Sequence, residues 1–200
     1  MTTTDKNYAN ASEYYQQAQQ AYDAGQFEEA CRLVQASIAI KHVDVALRHA
    51  ALNLLAITFS LTQQLDKAIS VWRELEKDLP NDVTILSNIG MALTDLERYD
   101  EAIQYLLRAT QTAPSYATAH LNLSVAYFQN GDLAKARASN EQALIHDPTC
   151  MDARFNLAKI LEDERRFEDA VQAYWDIFAL DPAYTKAMMG MLHIQSYVYP

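Results

Sequence analysis

Residues 117–150 read ATAHLNLSVAYFQNGDLAKARASNEQALIHDPTC, two helical patterns joined by a turn. Ala117 to Gln129 and Leu133 to His146 each place apolar residues at helical spacing. Between them Asn130-Gly131-Asp132 has the chemistry of a helix end, since glycine adopts the left-handed backbone there without a steric cost. Pro148 removes an amide donor and restricts the residue before it, so the second helix must stop ahead of it.

The pattern recurs. Pro80, Pro114, Pro148 and Pro182 stand at 34-residue intervals. With each proline as position 32, position 20 is Ala68, Ala102, Ala136 and Ala170, and position 8 is Ala56, Gly90, Ser124 and Ala158. Large residues flank these small ones: Leu55, Ile89, Leu123 and Leu157 at position 7, and Leu65, Tyr99, Leu133 and Phe167 at position 17. Small beside large is what two helix axes need to approach within about 8–10 Å without leaving a void. Four repeats follow, 49–82, 83–116, 117–150 and 151–184. A divergent fifth, 11–44, carries Tyr14, Ala18, Gly25, Phe27, Ala30 and Val34 but lacks the proline. Ala30 to Ala68 spans 38 residues, so four extra residues lengthen the next first helix or the turn before it, and packing should loosen around Lys41 to Val45. Residues 185–199, with Ala187, Met188, Met191, Leu192 and Ile194 at helical spacing, read as a capping helix.

The spacing and its residues resemble the tetratricopeptide repeat (TPR), with Leu123, Ser124, Tyr127, Gly131, Ala136, Ala143 and Pro148 as the best instance. The family's frequent tryptophan at position 4 is replaced by Leu52, Leu86, His120 and Arg154, and its turn glycine by Gln63, Glu97 and Arg165, where slight strain is expected. The resemblance implies an all-α fold: one domain over residues 1–200, a right-handed superhelical solenoid of antiparallel helix pairs with a C-terminal capping helix.

It further implies a concave surface lined by positions 2, 5, 6, 9, 12 and 13 of the first helices. Position 6 holds Asn88, Asn122 and Asn156, a ladder similar to the one lining the repeat region of the O-linked N-acetylglucosamine transferases; Leu54 departs from it. An amide offers a donor and an acceptor, matching what an extended peptide exposes at each residue. Two readings stay open for these asparagines, a grip on a partner's backbone and the satisfaction of neighbouring backbone groups. The other groove candidates are Tyr15, Tyr22, Met91, Leu121, Val125, Phe128, Phe155 and Lys159, a largely apolar middle suited to a few aromatic or aliphatic anchors. Only Lys159 and Lys186 are basic at concave positions, so a clamp for paired terminal carboxylates is not expected. Glu162-Asp163-Glu164 ahead of Arg165-Arg166 reads either as an attractor of basic peptide or as a solvated helix end.

A net charge of -10 opposes nucleic-acid binding. The longest nearly apolar stretch, Ala50 to Leu61, is interrupted by Asn53, Thr58 and Ser60, so no membrane span is expected. Cys31 and Cys150 belong to no ligand spacing, the five histidines form no HExxH, and the chain has neither a phosphate loop nor a dinucleotide fingerprint. No enzyme, cofactor or metal is expected, and a cytoplasmic location is. The expected function is a non-catalytic protein-interaction module, an adaptor, scaffold or assembly factor that binds a peptide or partner segment in its groove. The alternatives are the substrate-recognition repeats of a larger enzyme such as a glycosyltransferase, and a secretion-type chaperone for an apolar client segment. At the C-terminal edge, Met188, Met189, Met191, Tyr197, Val198 and Tyr199 either fold against the last repeat or offer a surface for docking or self-association.

Overall fold

The 34-residue register becomes helix boundaries with almost no slippage. A computed structural model describes residues 3–40 and 43–198, with side chains for residues 10–40 and 43–194. Among the described residues there are eleven α-helices: α1 (Thr3–Asp23), α2 (Phe27–Ala39), α3 (Val45–Leu61), α4 (Leu65–Asp78), α5 (Val83–Asp95), α6 (Tyr99–Thr112), α7 (Ala117–Gln129), α8 (Leu133–His146), α9 (Met151–Asp163), α10 (Phe167–Leu180) and α11 (Thr185–Val198). The two helices expected within 117–150 coincide with α7 and α8. Odd-numbered helices α5, α7 and α9 fill positions 1–13, and even-numbered helices α4, α6, α8 and α10 fill positions 17–30.

The four extra residues go into α3, which has 17 residues where α5 has 13. Its added turn is at the N-terminus, where the Asp44 carboxylate accepts from the amides of Ala46 (3.1 Å) and Leu47 (3.2 Å). Lys41 and His42, where looser packing was expected, lie outside the described residues. The first helix also differs from the repeat boundary at residue 11: α1 starts at Thr3, and neither glycine nor proline interrupts it before Asp23.

Each first helix turns back through position 15. Gly25 (φ 71°) and Gly131 (φ 83°) adopt the left-handed backbone, and so do Gln63 (φ 59°), Glu97 (φ 60°) and Arg165 (φ 62°), which carry a Cβ into it. The amides after the helix end fold back on its last turn, Gln64 on the Phe59 carbonyl (2.8 Å) and Gln63 on that of Ser60 (3.0 Å), with the same pair at Gly131 and at Arg165. That closed pattern holds non-glycine residues in an unfavourable region.

The chain divides into two compact units, Met1–Leu96 and Glu97–Pro200. In the N-terminal unit consecutive helices pack from α1 to α5, and α1 also meets α3. In the C-terminal unit consecutive helices pack from α6 to α11, and α7 meets α9 as α9 meets α11. First helices are thus neighbours of first helices at α1 and α3 in one unit and along α7, α9 and α11 in the other.

Position 20 does what its size predicts: Ala30, Ala68, Ala102, Ala136 and Ala170 are all fully buried. Position 24 supplies the bulk, with Val34, Trp72, Leu106 and Tyr174 buried, and one exception, Asn140. Its amide donates to the Ala153 carbonyl at 2.7 Å, but its Oδ1 has no partner. In two repeats position 24 meets position 5 of its own repeat. Trp72 Nε1 donates to Asn53 Oδ1 (3.0 Å), and the Tyr174 ring lies 5.7 Å from that of Phe155. Where the family favours tryptophan, position 4 takes a different job: His120 Nε2 meets the Pro114 carbonyl (2.8 Å), and Arg154 donates to that of Pro148 (2.7 and 3.1 Å). Each side chain ties a first helix to the proline turn before it.

The expected capping helix is present as α11. Ala187, Met191 and Ile194 join Ala158, Leu161, Ala170, Tyr174 and Ile177 in one core, whereas Met188, Met189 and Leu192 face solvent. Met191 therefore folds against the last repeat, as one of the two readings has it, whereas Met188 and Met189 do not. The side chains of Tyr197 and Val198, and all of Tyr199, lie outside the described residues.

Candidate peptide-binding groove

Where α7 meets α9 a cavity of about 110 Å³ opens, lined by Ser124, Val125, Phe128 and Gln129 from α7 and by Asn156, Lys159 and Ile160 from α9. Helical periodicity assembles it. Positions 8, 9, 12 and 13 of one first helix form a single face, and positions 6, 9 and 10 of the next face it. Val125, Phe128 and Ile160 make an apolar floor, Ile160 being 1% exposed. Asn156 is half-buried and Lys159 exposed, so the amide sits in the wall and the ammonium at the mouth.

Four of the groove candidates, Val125, Phe128, Asn156 and Lys159, are brought together here. Ser124, Gln129 and Ile160 were not among the groove candidates. Position 13 is among the concave positions that the resemblance implies, whereas position 8 was read as a small packing position and position 10 was given no reading. The Ser124 hydroxyl is buried without a hydrogen-bonding partner, unlike Thr58 and Thr94, which donate to the carbonyls four residues before them (2.7 and 2.9 Å).

The remaining candidates are placed as follows. Asn122 on α7 and Asn88 on α5 are half-buried, and Asn122 is engaged within the chain. Met91, also on α5, is 38% exposed. Leu121 is half-buried on α7. Phe155 packs into the C-terminal core, its ring 5.7 Å from Tyr174 and 5.9 Å from Tyr184. Tyr15 and Tyr22 pack against the core of the N-terminal unit, Tyr22 edge-on to Phe27 at 5.9 Å, and burial pushes the Tyr15 phenol above its ordinary pKa. Position 5 is thus drawn inward at Tyr15 and at Phe155.

Charge around the cavity is sorted rather than diffuse. Glu162 accepts from the Tyr174 hydroxyl (3.2 Å) and pairs with His193 Nδ1 (2.7 Å), while Glu164 pairs with Arg137 (3.1 Å) and Arg166 (3.7 Å). Asp152 accepts from the Tyr184 hydroxyl at 3.2 Å. Glu162 and Glu164 are thus taken by internal partners, while Asp163 between them is exposed. Burial and the neighbouring Glu162 hold the Tyr174 phenol well above the usual tyrosine range.

A family model described as Tetratricopeptide repeat matches residues 59–117, 87–149 and 121–184. The chain belongs to the tetratricopeptide repeat family. Among curated relatives, this TPR chain is 29% identical over 133 residues to the type IV pilus assembly protein PilF of Pseudomonas aeruginosa, covering 66% of this chain and 51% of that protein. The solved structure of P. aeruginosa PilF superposes with a TM-score of 0.77 at 22% identity, covering 98% of this chain and 86% of that one. A thermophilic TPR protein of Thermus thermophilus gives 0.74 at 21% identity over 93% and 99% of the two chains. The TPR chain spans about half the length of curated PilF and smaller shares of the other leading curated relatives. Among the described residues no three His, Cys, Asp or Glu side chains gather as metal ligands, and no helix is long and apolar enough to cross a membrane.

Proposed function

We propose that this TPR chain is a non-catalytic interaction module that takes a segment of a partner protein onto its first-helix face, with the α7–α9 cavity as the anchor point. The observation that carries the reading is the convergence of Val125, Phe128, Asn156 and Lys159 on one apolar-floored opening, at the register positions that the family uses for ligands. A half-buried amide beside an apolar floor can hold a peptide group while a side chain enters below it. The likeness to a pilus assembly protein favours an assembly-factor role, in which binding rather than turnover is the output.

The test is affinity capture from native lysate with the wild-type chain and with Val125→Arg/Asn156→Ala as the groove control. Candidates are identified by mass spectrometry and then titrated calorimetrically. At least one partner should lose tenfold or more in affinity for the double variant while its helical circular dichroism is unchanged. Partners bound equally by both proteins would refute the groove as the binding surface.

A further inference from the structure

Lys159 stands out in a chain whose cations are mostly committed. Arg32, Arg48, Arg98, Lys135, Arg137 and Arg166 pair with carboxylates, and Arg154 with a carbonyl. On α9, Glu162 and Asp163 lie three and four residues beyond Lys159, the spacing at which helical ion pairs form. Glu162 is instead held by Tyr174 and His193, and Lys159 makes no ion pair with Asp163. No acidic residue lines the cavity, although the chain carries 26. The opening therefore presents one uncompensated positive charge over an apolar floor, the Lys159 ammonium, beside the amide groups of Asn156 and Gln129, which both donate and accept.

From this we infer that the α7–α9 cavity selects an internal peptide segment in which one Leu-, Met- or Phe-sized side chain is flanked by an aspartate or glutamate. The inference rests on the groove reading above and adds its specificity. The apolar side chain fills the roughly 110 Å³ floor between Val125, Phe128 and Ile160. With that anchor inserted, the peptide group above it meets Asn156, and the neighbouring carboxylate reaches the ammonium at the mouth. A side-chain carboxylate fits better than a chain terminus, because the cation sits at the exposed rim and stands alone, whereas a terminal carboxylate needs several donors close to the anchor. An exposed pair of this kind is modest in strength and weakens with salt.

The experiment is selection of a display library of random dodecamers, held at both ends, on the wild-type chain, Lys159→Gln and Val125→Trp, at 50 mM and 500 mM salt. Circular dichroism checks that each variant is folded. A parallel library with free C-termini tests the other source of carboxylate. Peptides with an apolar residue next to Asp or Glu should be enriched about three- to fivefold over their Asn or Gln counterparts on wild type at low salt. That preference should vanish on Lys159→Gln and at high salt, and all enrichment should vanish on Val125→Trp. Apolar peptides selected without an acidic preference, or an acidic preference surviving in Lys159→Gln, would overturn the inference while leaving the groove intact. An acidic preference seen only with free C-termini would overturn the internal segment. Enrichment indifferent to Val125→Trp would overturn the groove reading as well.

Discussion

Gly190 on α11 faces the ring of Tyr174. A Cβ built on it would stand 2.4 Å from Cζ and 2.7 Å from each Cε, closer than carbon atoms approach. Tyr174 is 1% exposed and its hydroxyl is held by Glu162, so the ring has nowhere to swing. Gly190→Ala sets two effects against each other. Alanine in a helix interior gains about 1 kcal/mol over glycine, whereas forcing a methyl into a filled core costs about 1–3 kcal/mol. The contact is closer than a small shift can relieve, which puts the cost in the upper part of that range, about 2–3 kcal/mol, so overpacking should win by about 1–2 kcal/mol. For a chain of this length that lowers the thermal midpoint by about 2–8 °C, read by circular dichroism or calorimetry. The discriminating comparison is Tyr174→Leu, which removes the ring. In that background Gly190→Ala should raise the midpoint, because only helix propensity remains. A single Gly190→Ala that melts above wild type would refute the contact between α10 and α11 as described.

Further expectations follow from the same packing. Glu97→Gly or Arg165→Gly should each raise stability by about 1 kcal/mol in urea titrations, since glycine relieves the positive-φ strain. Asn140→Leu should gain about 1 kcal/mol by replacing a buried amide with an unpartnered oxygen by the apolar bulk found at this register elsewhere; a loss would mean that the Ala153 contact matters more. Ala136→Leu should cost about 1–3 kcal/mol, and an unchanged midpoint would remove the tight helix contact from the account. Alkaline unfolding supplies the pH test. Because the Tyr174 phenol is raised in the fold, the unfolded chain releases that proton first as pH passes about 10, and stability falls from there upward. Tyr174→Phe should flatten that fall in urea midpoints measured from pH 9 to 11.5.

Helix register was the most legible property because it rests on punctuation. Prolines 34 residues apart, alanines at position 20 and a turn at position 15 each report backbone geometry, which depends on few neighbours. The turn at Arg165 was legible from the 34-residue register, since arginine itself carries no turn signal. The site was less legible because one helix has several faces and the repeat does not say which side chain its own second helix will claim. Phe155 illustrates this. Its position belongs to the groove by family mapping, but the bulky Tyr174 nineteen residues later draws it inward. Lys159 shows the converse, since its availability depends on Glu162 being taken by Tyr174 and His193. Neither outcome follows from spacing, because each is decided by a competition between partners on different helices.

The buried face of α8, made of Ala136, Ser139, Asn140 and Ala143, bears on how force and heat would travel through the C-terminal unit. In a repeat protein each helix pair is stabilised chiefly by its immediate neighbours. A pair with so little apolar bulk on one side is the natural place for the chain to part first. Its amide protons should exchange with solvent before those of α9 and α10, and an occupant bridging α7 and α9 should slow that exchange by bracing the helices on either side.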